Sequence, residues 1–244
     1  MTLAATKALT KAGMSGPAPV ASAISIGRLE VVPDLSGALW LPTERTLVVA
    51  DLHLEKGSAF AARGVMLPPY DSAATLAGLA EAIGRLKPAR VIALGDSFHD
   101  MGAAMRLADA DRQALAALQL GRDWLWVTGN HDPAPMPEFG GAVCDEIELC
   151  GTILRHAPEA GEARPEIAGH LHPVAKVRLR GKGVRRRCFA LSSQRCILPA
   201  MGAYAGGLNL RNSAFQPLFR QGLVAHMLGS ERLFAVSERF LLPD

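Results

Sequence analysis

Strand and helix patterns alternate through the first half of this chain, and that alternation restricts its fold more than any other feature. Residues 46–53 (TLVVADLH), 90–96 (RVIALGD) and 123–132 (DWLWVTGNHD) predict three buried strands. Residues 68–88 predict a helix that ends at Pro88, and residues 105–121 predict a second helix that ends at Gly121. This βαβαβ order favours parallel pairing, because strands joined by a helical crossover run in the same direction.

Each of these strands ends in side chains of the types that bind metals. Asp51 and His53 stand at i and i+2, and on an extended segment such side chains point to the same side. The carboxyl ends of neighbouring parallel strands meet in one crevice, so we expect the three strand ends to converge. The candidate site residues of this half are Asp51, His53, Asp96, His99, Asn130, His131 and Asp132.

The second half of the chain has a different pattern, made of short strands. They are predicted within residues 146–158, 166–173, 176–193 and 223–242, and an earlier pair is predicted at 24–32 and 37–42. This half adds His156 and the pair His170 and His172, again at i and i+2. Six of the seven histidines therefore lie in the clusters, with only His226 outside. Carboxylate, imidazole and amide ligands together suit Mn, Fe or Zn.

Composition indicates a globular protein with a sizeable core, because 49% of the 244 residues are hydrophobic and 20% are charged. The net charge of +3 indicates a nucleic-acid partner only if the cations are clustered. We interpret residues 1–22 as a flexible tail and residues 23–244 as one domain. Four cysteines without a paired spacing favour a reducing compartment, and no apolar run reaches the ~18 residues of a membrane span. We therefore expect a cytoplasmic protein without membrane contact.

Five short motifs follow one another in a fixed order. They are Asp-x-His at 51–53, Gly-Asp-x-x-His at 95–99, Gly-Asn-His-Asp at 129–132, His156, and Gly-His-x-His at 169–172. Each alone is compatible with turn chemistry, but the ordered set resembles the signature of the calcineurin-like metallophosphoesterases. The forms ADLHLEKG, GDSFHD and GHLHP are most similar to the bacterial ligase-associated DNA damage response endonuclease branch. His99 stands where many members of the superfamily have Asp followed by Arg-Gly.

The resemblance implies a fold, a cofactor and a reaction. The fold would be an α/β four-layer α-β-β-α sandwich of two mixed sheets, with the site at one edge. Two divalent transition metals, manganese with iron or zinc as alternatives, would hold a hydroxide that attacks a phosphodiester of DNA in line. The setting would be DNA repair, alongside an ATP-dependent DNA ligase and a helicase. A phosphatase or pyrophosphatase acting on a nucleotide or other small molecule, or a non-catalytic scaffold, is compatible with the same fold.

The resemblance also assigns roles to individual residues. One metal would be held by Asp51, His53 and His172, the other by Asn130, His156 and His170, and Asp96 would bridge the two. His131 lies beside a ligand but outside the ligand set, and it would protonate the leaving oxygen, a task that suits an imidazole pKa near ~6.5. Asp132, His99 or Asp100 would orient His131.

Contacts with the substrate are less well defined by the sequence. Residues 176–187 carry seven cations and fit either a solvated hairpin or a surface that contacts phosphates, and both interpretations stay open. Lys56 follows the first motif and is either a phosphate contact or an exposed turn residue. The candidate substrate contacts are Asn130, Lys56, Arg185, Arg186 and Arg187.

Overall fold

The computed structural model describes residues 23–134 and 137–244, so the predicted tail at 1–22 lies outside the described residues. The strands are β1 (Ile24–Ile26), β2 (Leu29–Pro33), β3 (Leu39–Leu41), β4 (Thr46–Val49), β5 (Arg90–Leu94), β6 (Asp123–Val127), β7 (Ala142–Cys144), β8 (Glu146–Leu149), β9 (Thr152–Arg155), β10 (Glu166–Ala168), β11 (Pro173–Leu179), β12 (Lys182–Leu191), β13 (Arg195–Ile197), β14 (Leu208–Asn209), β15 (Val224–Leu228) and β16 (Leu233–Ser237). The helices are α1 (Lys56–Ala61), α2 (Asp71–Leu86), α3 (Ala103–Arg106) and α4 (Asp109–Gln119), with 3-10 turns at Pro137–Phe139, Ser213–Phe215 and Glu238–Phe240.

The first sheet contains β1 to β7 in sequence order. Its first four strands pair antiparallel, and β4 to β7 pair parallel, with helical crossovers after β4 and β5. Val49 lies opposite Ala93, and Leu94 lies opposite Val127, so the carboxyl ends of β4, β5 and β6 reach the same edge. The predicted parallel βαβαβ unit is therefore present.

The second sheet has the order β14-β11-β12-β13-β10-β9-β8, and β15 pairs with β12 and with β16. It is mixed, because β9, β10 and β13 run parallel while β11, β12 and β13 alternate in direction. The cationic run at 176–187 forms the β11–β12 hairpin, in which Lys176 lies opposite Arg185. Its turn contains Arg180 and Gly181, both with positive φ, as a two-residue hairpin turn requires.

Three apolar layers hold the sheets and helices together. Leu79 and Leu115 belong to the layer that packs helices on the first sheet, and Phe189 belongs to the layer between the two sheets. A third layer, which includes Phe215 and Phe219, covers the outer face of the second sheet. The predicted sandwich of two mixed sheets is confirmed, and its fourth layer consists of a loop with 3-10 turns.

The helix predicted over residues 105–121 is divided into α3 and α4. Leu107 and Ala108 have extended backbone between the two helices, with ψ values of 122° and 149°. Asp109 and Asp111 follow in the first turn of α4, where carboxylates interact favourably with the helix dipole. The two acidic residues thus favour the start of a new helix at Asp109, although the apolar pattern of the sequence continues across the break between α3 and α4. Within the described ranges, no helix is both long and apolar enough to cross a membrane.

Candidate metal centre

The candidate ligands of the first sheet lie just beyond the carboxyl ends of its parallel strands. Asp51 is two residues past β4, Asp96 is two past β5, and Asn130 is three past β6. Backbone hydrogen bonds join the first two loops, since the N–H of His53 donates to Asp96 O at 2.9 Å and that of Asp51 donates to Gly95 O at 3.2 Å. The structure therefore brings the three segments together, as the sequence predicts.

Five of the seven candidate ligands have a left-handed backbone, a conformation that costs residues other than glycine ~1–2 kcal/mol. These are Asp51 (φ 55°), His53 (φ 44°), Asp96 (φ 47°), His170 (φ 69°) and His172 (φ 46°). The strand predicted to continue to His53 therefore ends at Val49. Asp51 and His53 reach the same place through two left-handed turns, so the extended geometry expected from the sequence was the wrong reason for their convergence.

Asp51, His53 and His172 form one group of metal-ligand atoms, all within 4.8 Å of one another. Nε2 of His172 is 3.3 Å from Oδ1 of Asp51 and 3.2 Å from Nε2 of His53. Burial, together with the nearby His172 and Lys56, lowers the pKa of His53 to about 2. This imidazole is therefore neutral at physiological pH, which is the state that binds a metal.

Asp96, His156 and His170 form a second group of ligand atoms, and Asn130 joins it. Nδ1 of His156 lies 3.0 Å from Leu94 O and donates to it, which leaves the lone pair of Nε2 free in the neutral ring. That Nε2 faces Oδ1 of Asn130 at 2.9 Å, Nδ1 of His170 at 3.0 Å and Oδ1 of Asp96 at 3.4 Å. Lone pairs that converge in this way are stabilised by a cation between them.

The carboxylate of Asp96 lies between the two groups. Its Oδ1 is 3.4 Å from Nε2 of His156, and its Oδ2 is 4.0 Å from Nε2 of His53. Ligand atoms that share a cation at ~2.0–2.2 Å lie roughly 3–3.5 Å apart. The shortest separations within the two groups, 2.9 to 3.4 Å, are close to this requirement, so the residues could hold metal ions, and the carboxylate of Asp96 lies between the groups.

Two motif glycines are required by close packing around Asp96. Gly95 has a φ of 70°, and a Cβ there would lie 2.6 Å from the ring of His156. A Cβ at Gly129 would overlap the backbone nitrogen of Asp96. Glycine precedes Asp96 and Asn130 because nothing larger fits against the ligands.

The carboxylate of Asp132 holds the loop that carries Asp96. It accepts hydrogen bonds from the backbone N–H groups of Asp96 (2.9 Å), Ser97 (2.8 Å), Phe98 (3.1 Å) and Gly129 (3.0 Å). Burial raises the pKa of Asp132 to about 6, although these hydrogen bonds favour its ionised form. Asp132 thus positions the central carboxylate and the Gly-Asn-His loop.

His131 is oriented by a main-chain oxygen. Its Nδ1 lies 2.8 Å from His99 O and donates to it, so Nε2 faces the site, 4.0 Å from Oδ2 of Asp96. Asp100, the other acid considered for this task, instead binds Arg106 at 2.7 Å. The side chain of His131 is 39% exposed, so Nε2 is accessible to an incoming molecule.

His99 and Lys56 complete the rim of the site. The His99 ring stacks on that of His131, with centroids 4.9 Å apart. Burial, with help from His131 and Lys56, lowers the pKa of His99 to about 4, so this ring is neutral at physiological pH. Burial also lowers the pKa of Lys56, while Asp71 and Asp96 raise it. The ammonium of Lys56 is therefore within electrostatic range of Asp96.

The three candidate arginines of β12 do not form one surface. Arg185 donates to Asp244 at 3.0 Å and to Gly207 O at 2.7 Å. Arg187 is half-buried and donates to Ala200 O at 2.8 Å, in a groove away from the ligand cluster. Arg186 is exposed. The segment forms a hairpin, which is compatible with both interpretations, and its contact with DNA stays a prediction.

Sequence reasoning missed the main-chain groups that support the site. The carbonyls of Leu94 and His99 fix the rings of His156 and His131. The N–H of Gly202 donates to Asp51 O at 3.0 Å and supports the first ligand loop. A carbonyl or N–H is present at almost every position, so no residue type marks these contacts in advance.

Two mixed sheets with an Asp/His site at the strand ends form a metallophosphoesterase-like fold. Among solved structures, the chain is similar to the nuclease MPE from Pseudomonas putida, with 26% identity, a TM-score of 0.68, and coverage of 88% of this chain and 99% of that chain. Similarity to the E. coli phosphoesterase YfcE is weak, with 14% identity, a TM-score of 0.38, and coverage of 79% of this chain and 98% of that chain. No model of a protein family and no curated protein matches the chain. The resemblance drawn from the motifs is confirmed for the fold.

Proposed function

We propose that this protein is a metal-dependent hydrolase of phosphodiester bonds and that DNA is its substrate. The position of Asp96 between two groups of ligand atoms carries the proposal, since one carboxylate shared by two metals is typical of phosphoester hydrolysis. Similarity to a nuclease over most of the chain supports the choice of substrate. The metals, manganese with iron or zinc as alternatives, would be held by Asp51, His53 and His172 and by Asn130, His156 and His170, with Asp96 shared.

Metals bound by these residues would neutralise phosphate charge and lower the pKa of water. The protein itself supplies orientation, charge and a proton. Lys56 and the amide of Asn130 would contact the phosphate oxygens. The carbonyl of His99 accepts the hydrogen bond of Nδ1–H of His131, so that Nε2 is turned to the site and, in the imidazolium form of the ring, would donate its proton to the leaving oxygen. The wider setting, DNA repair with an ATP-dependent ligase and a helicase, is a proposal supported by the sequence resemblance alone.

The test compares His131→Ala with the wild-type protein on two phosphodiesters with different leaving groups. DNA releases an alkoxide that needs a proton, whereas a p-nitrophenyl ester of thymidine phosphate releases a stable anion. We expect the variant to lose about 10²–10⁴-fold in rate on DNA and far less on the nitrophenyl ester. Metal content should not change, because Asn130 and not His131 is the proposed ligand. His226→Ala, which alters the histidine outside the cluster, is the matched control.

Other results would redirect the proposal. An equal loss on both substrates with metals retained would mean that His131 positions phosphate and does not donate the proton. Faster turnover of nucleotide monoesters than of DNA would favour the phosphatase alternative. If the manganese-loaded wild-type protein hydrolysed no phosphoester, the result would favour the non-catalytic scaffold.

A further inference from the structure

Several exposed apolar side chains lie on the segments that follow α1 and the His99 loop, and they have no part in the mechanism above. Met105 is 92% exposed, Met66 81%, Val65 50% and Met101 48%. Exposed apolar patches on a protein surface often mark binding sites. Methionine suits such a site because its flexible side chain adapts to the shape of a ligand. With Phe60, these four residues define what we call the apolar shelf.

The apolar shelf adjoins the side of the site on which His131 lies. The ring of Phe60, in α1, has its centroid 6.0 Å from that of His99, which in turn stacks on His131. The N–H of Val65 donates to Phe60 O at 3.0 Å and folds the segment after α1 back onto that helix. Met101 is two residues beyond His99 in the chain. The shelf therefore begins beside His99, whose ring stacks on that of the proposed proton donor.

Helix α3 is fastened to the same edge. Arg106 in α3 donates to Ser58 in α1 at 2.9 Å and to Asp100 at 2.7 Å. These bonds place Met105, the neighbour of Arg106, on the helix that packs beside α1. The most exposed methionine of the shelf thus belongs to an element whose position is fixed relative to the ligand loops.

Cationic side chains accompany the apolar ones. Lys56 and Arg63 both lie close enough to His99 to lower its pKa by their charge. Apolar and aromatic surface next to two cations is complementary to a ligand that carries a flat ring beside a phosphate. A partner protein or a second copy of this chain would need apolar surface but would gain less from cations placed at the metal site.

We propose that the apolar shelf binds the nucleobase next to the phosphodiester that is cleaved. The inference rests on the proposed function and adds to it a subsite for the base. Phe60 would contact the base nearest the leaving oxygen, and Met101 and Met105 would cover the face that is turned to solvent. The shelf then selects esters of nucleosides over other phosphodiesters.

The test measures binding of two strands that carry equal charge. The full-length protein in EDTA is titrated with a fluorescent oligothymidylate and with an abasic deoxyribose phosphate strand of the same length. Phosphate contacts cancel in the ratio of the two Kd values, so the ratio reports the bases alone. We expect the wild-type protein to bind oligothymidylate about 5- to 100-fold more tightly, the range for one or two stacked bases.

Phe60→Ala and Met105→Ala should each lower this ratio several-fold, while Phe240→Ala and Leu120→Ala, which remove exposed apolar side chains elsewhere, should leave it unchanged. Thermal unfolding of all five proteins shows whether the variants are folded, and manganese-dependent hydrolysis of methyl p-nitrophenyl phosphate, which has no base, should be equal in the wild-type protein and the two control variants. Failure of the wild-type protein to hydrolyse that ester would contradict the proposed function and not the shelf.

A ratio near one in the wild-type protein would overturn the proposal. So would a ratio that the Phe60 and Met105 variants leave unchanged. If sedimentation then showed a dimer that the same variants dissociate, the shelf would be assigned to contact between two copies of the chain.

Discussion

Four backbone N–H groups converge on the carboxylate of Asp132, which is 7% exposed. In Asp132→Asn the amide NH₂ would face some of these donors, so the hydrogen bonds to a charged group disappear and like groups oppose each other. Such bonds contribute ~1.5–3 kcal/mol each, and we expect the free energy of unfolding to fall by about 2–4 kcal/mol. Metal content should fall as well, because the loop of Asp96 loses its support. Urea unfolding and metal analysis measure the two effects.

Asp145→Asn is the control for Asp132, since the Asp145 carboxylate accepts one hydrogen bond, from Thr128, at an exposed position. We expect this change to alter stability by less than about 0.5 kcal/mol. Similar losses in both variants would show that the four converging N–H groups give Asp132 no special role.

At the scale of single residues, side-chain chemistry could be read from the sequence and backbone geometry could not. The types and spacing of Asp51 and His53 predict that they reach one place. Their positive φ values, 55° and 44°, could not be predicted, because nothing in Asp-Leu-His distinguishes a left-handed turn from the end of a strand. The position of Asp132 predicts a role beside His131, but the hydrogen bonds of its carboxylate go to other residues.

At the scale of elements, an ion pair between Arg85 and Asp34 connects α2 to the β2–β3 turn. Arg85 donates to both carboxylate oxygens, at 2.7 and 2.8 Å. Burial alone would raise the pKa of Asp34, but hydrogen bonds from Arg85 and Ser36 hold it below its usual value. We expect Arg85→Ala to lower the free energy of unfolding near pH 7 by ~0.5–1 kcal/mol, the range for a pair exposed on the arginine side.

This loss should depend on pH in one direction. The pKa of Asp34 is lower in the folded state, so the pair stabilises the protein above the unfolded pKa of ~3.9, and this contribution disappears as the pH falls through the folded value. Urea unfolding of wild type and variant should therefore give a difference near pH 7 that vanishes in acid. Arg90→Ala, which breaks an exposed pair with Asp123, is the control. A difference that grew in acid would contradict this assignment.

The β11–β12 hairpin is the element on which the proposed DNA binding can be tested. Arg178, Arg180 and Lys182 are exposed at its tip, whereas Arg185 is already paired with Asp244. If the tip binds phosphates, changing these three residues to Gln should reduce the slope of log affinity against log salt by roughly 0.9 for each phosphate that is no longer neutralised. Changing Arg28, Lys87 and Arg220 to Gln removes the same charge from other exposed positions. Equal slopes for the two triple variants would show that the tip makes no specific contact with phosphates and is a solvated hairpin.

On the scale of the whole molecule, the candidate metal ligands come from both sheets. Asp51 and Asp96 follow strands of the first sheet, while His156 and His170 follow strands of the second. A ligand that binds only the folded protein stabilises it by ~2.7 kcal/mol at a hundred times its Kd. Manganese at that level should therefore raise Tm by about 5–10 °C for a chain of this size, and EDTA should reverse the change.

The matched variant for that experiment is Asp96→Asn, which changes the carboxylate shared by both groups of ligands. Its Tm should respond to manganese much less than that of the wild-type protein, and its metal content should fall at both positions. Wild-type metal content in this variant would contradict the shared position of Asp96.

The order of strands in the second sheet could not be predicted from the sequence. The alternation of strands and helices at 46–132 specifies parallel pairing, but β14 beside β11 and β15 beside β12 depend on contacts between distant short strands. The two-residue β14 and the three-residue β13 have too few positions for a pattern. The loop structure of the fourth layer could not be predicted either, because Phe215 and Phe219 show no helical period, and the resemblance implies helices there.

The left-handed backbone at five candidate ligands has a consequence for laboratory evolution. Glycine at His170 or His172, the two least buried of these residues, would relieve ~1 kcal/mol of backbone strain and remove a candidate metal ligand at the same time. A library screened only for expression or heat resistance in the presence of chelator should therefore become enriched in glycine at these positions. The resulting proteins would be more robust and inert, so a screen for thermostable variants of this protein must select for turnover in every round.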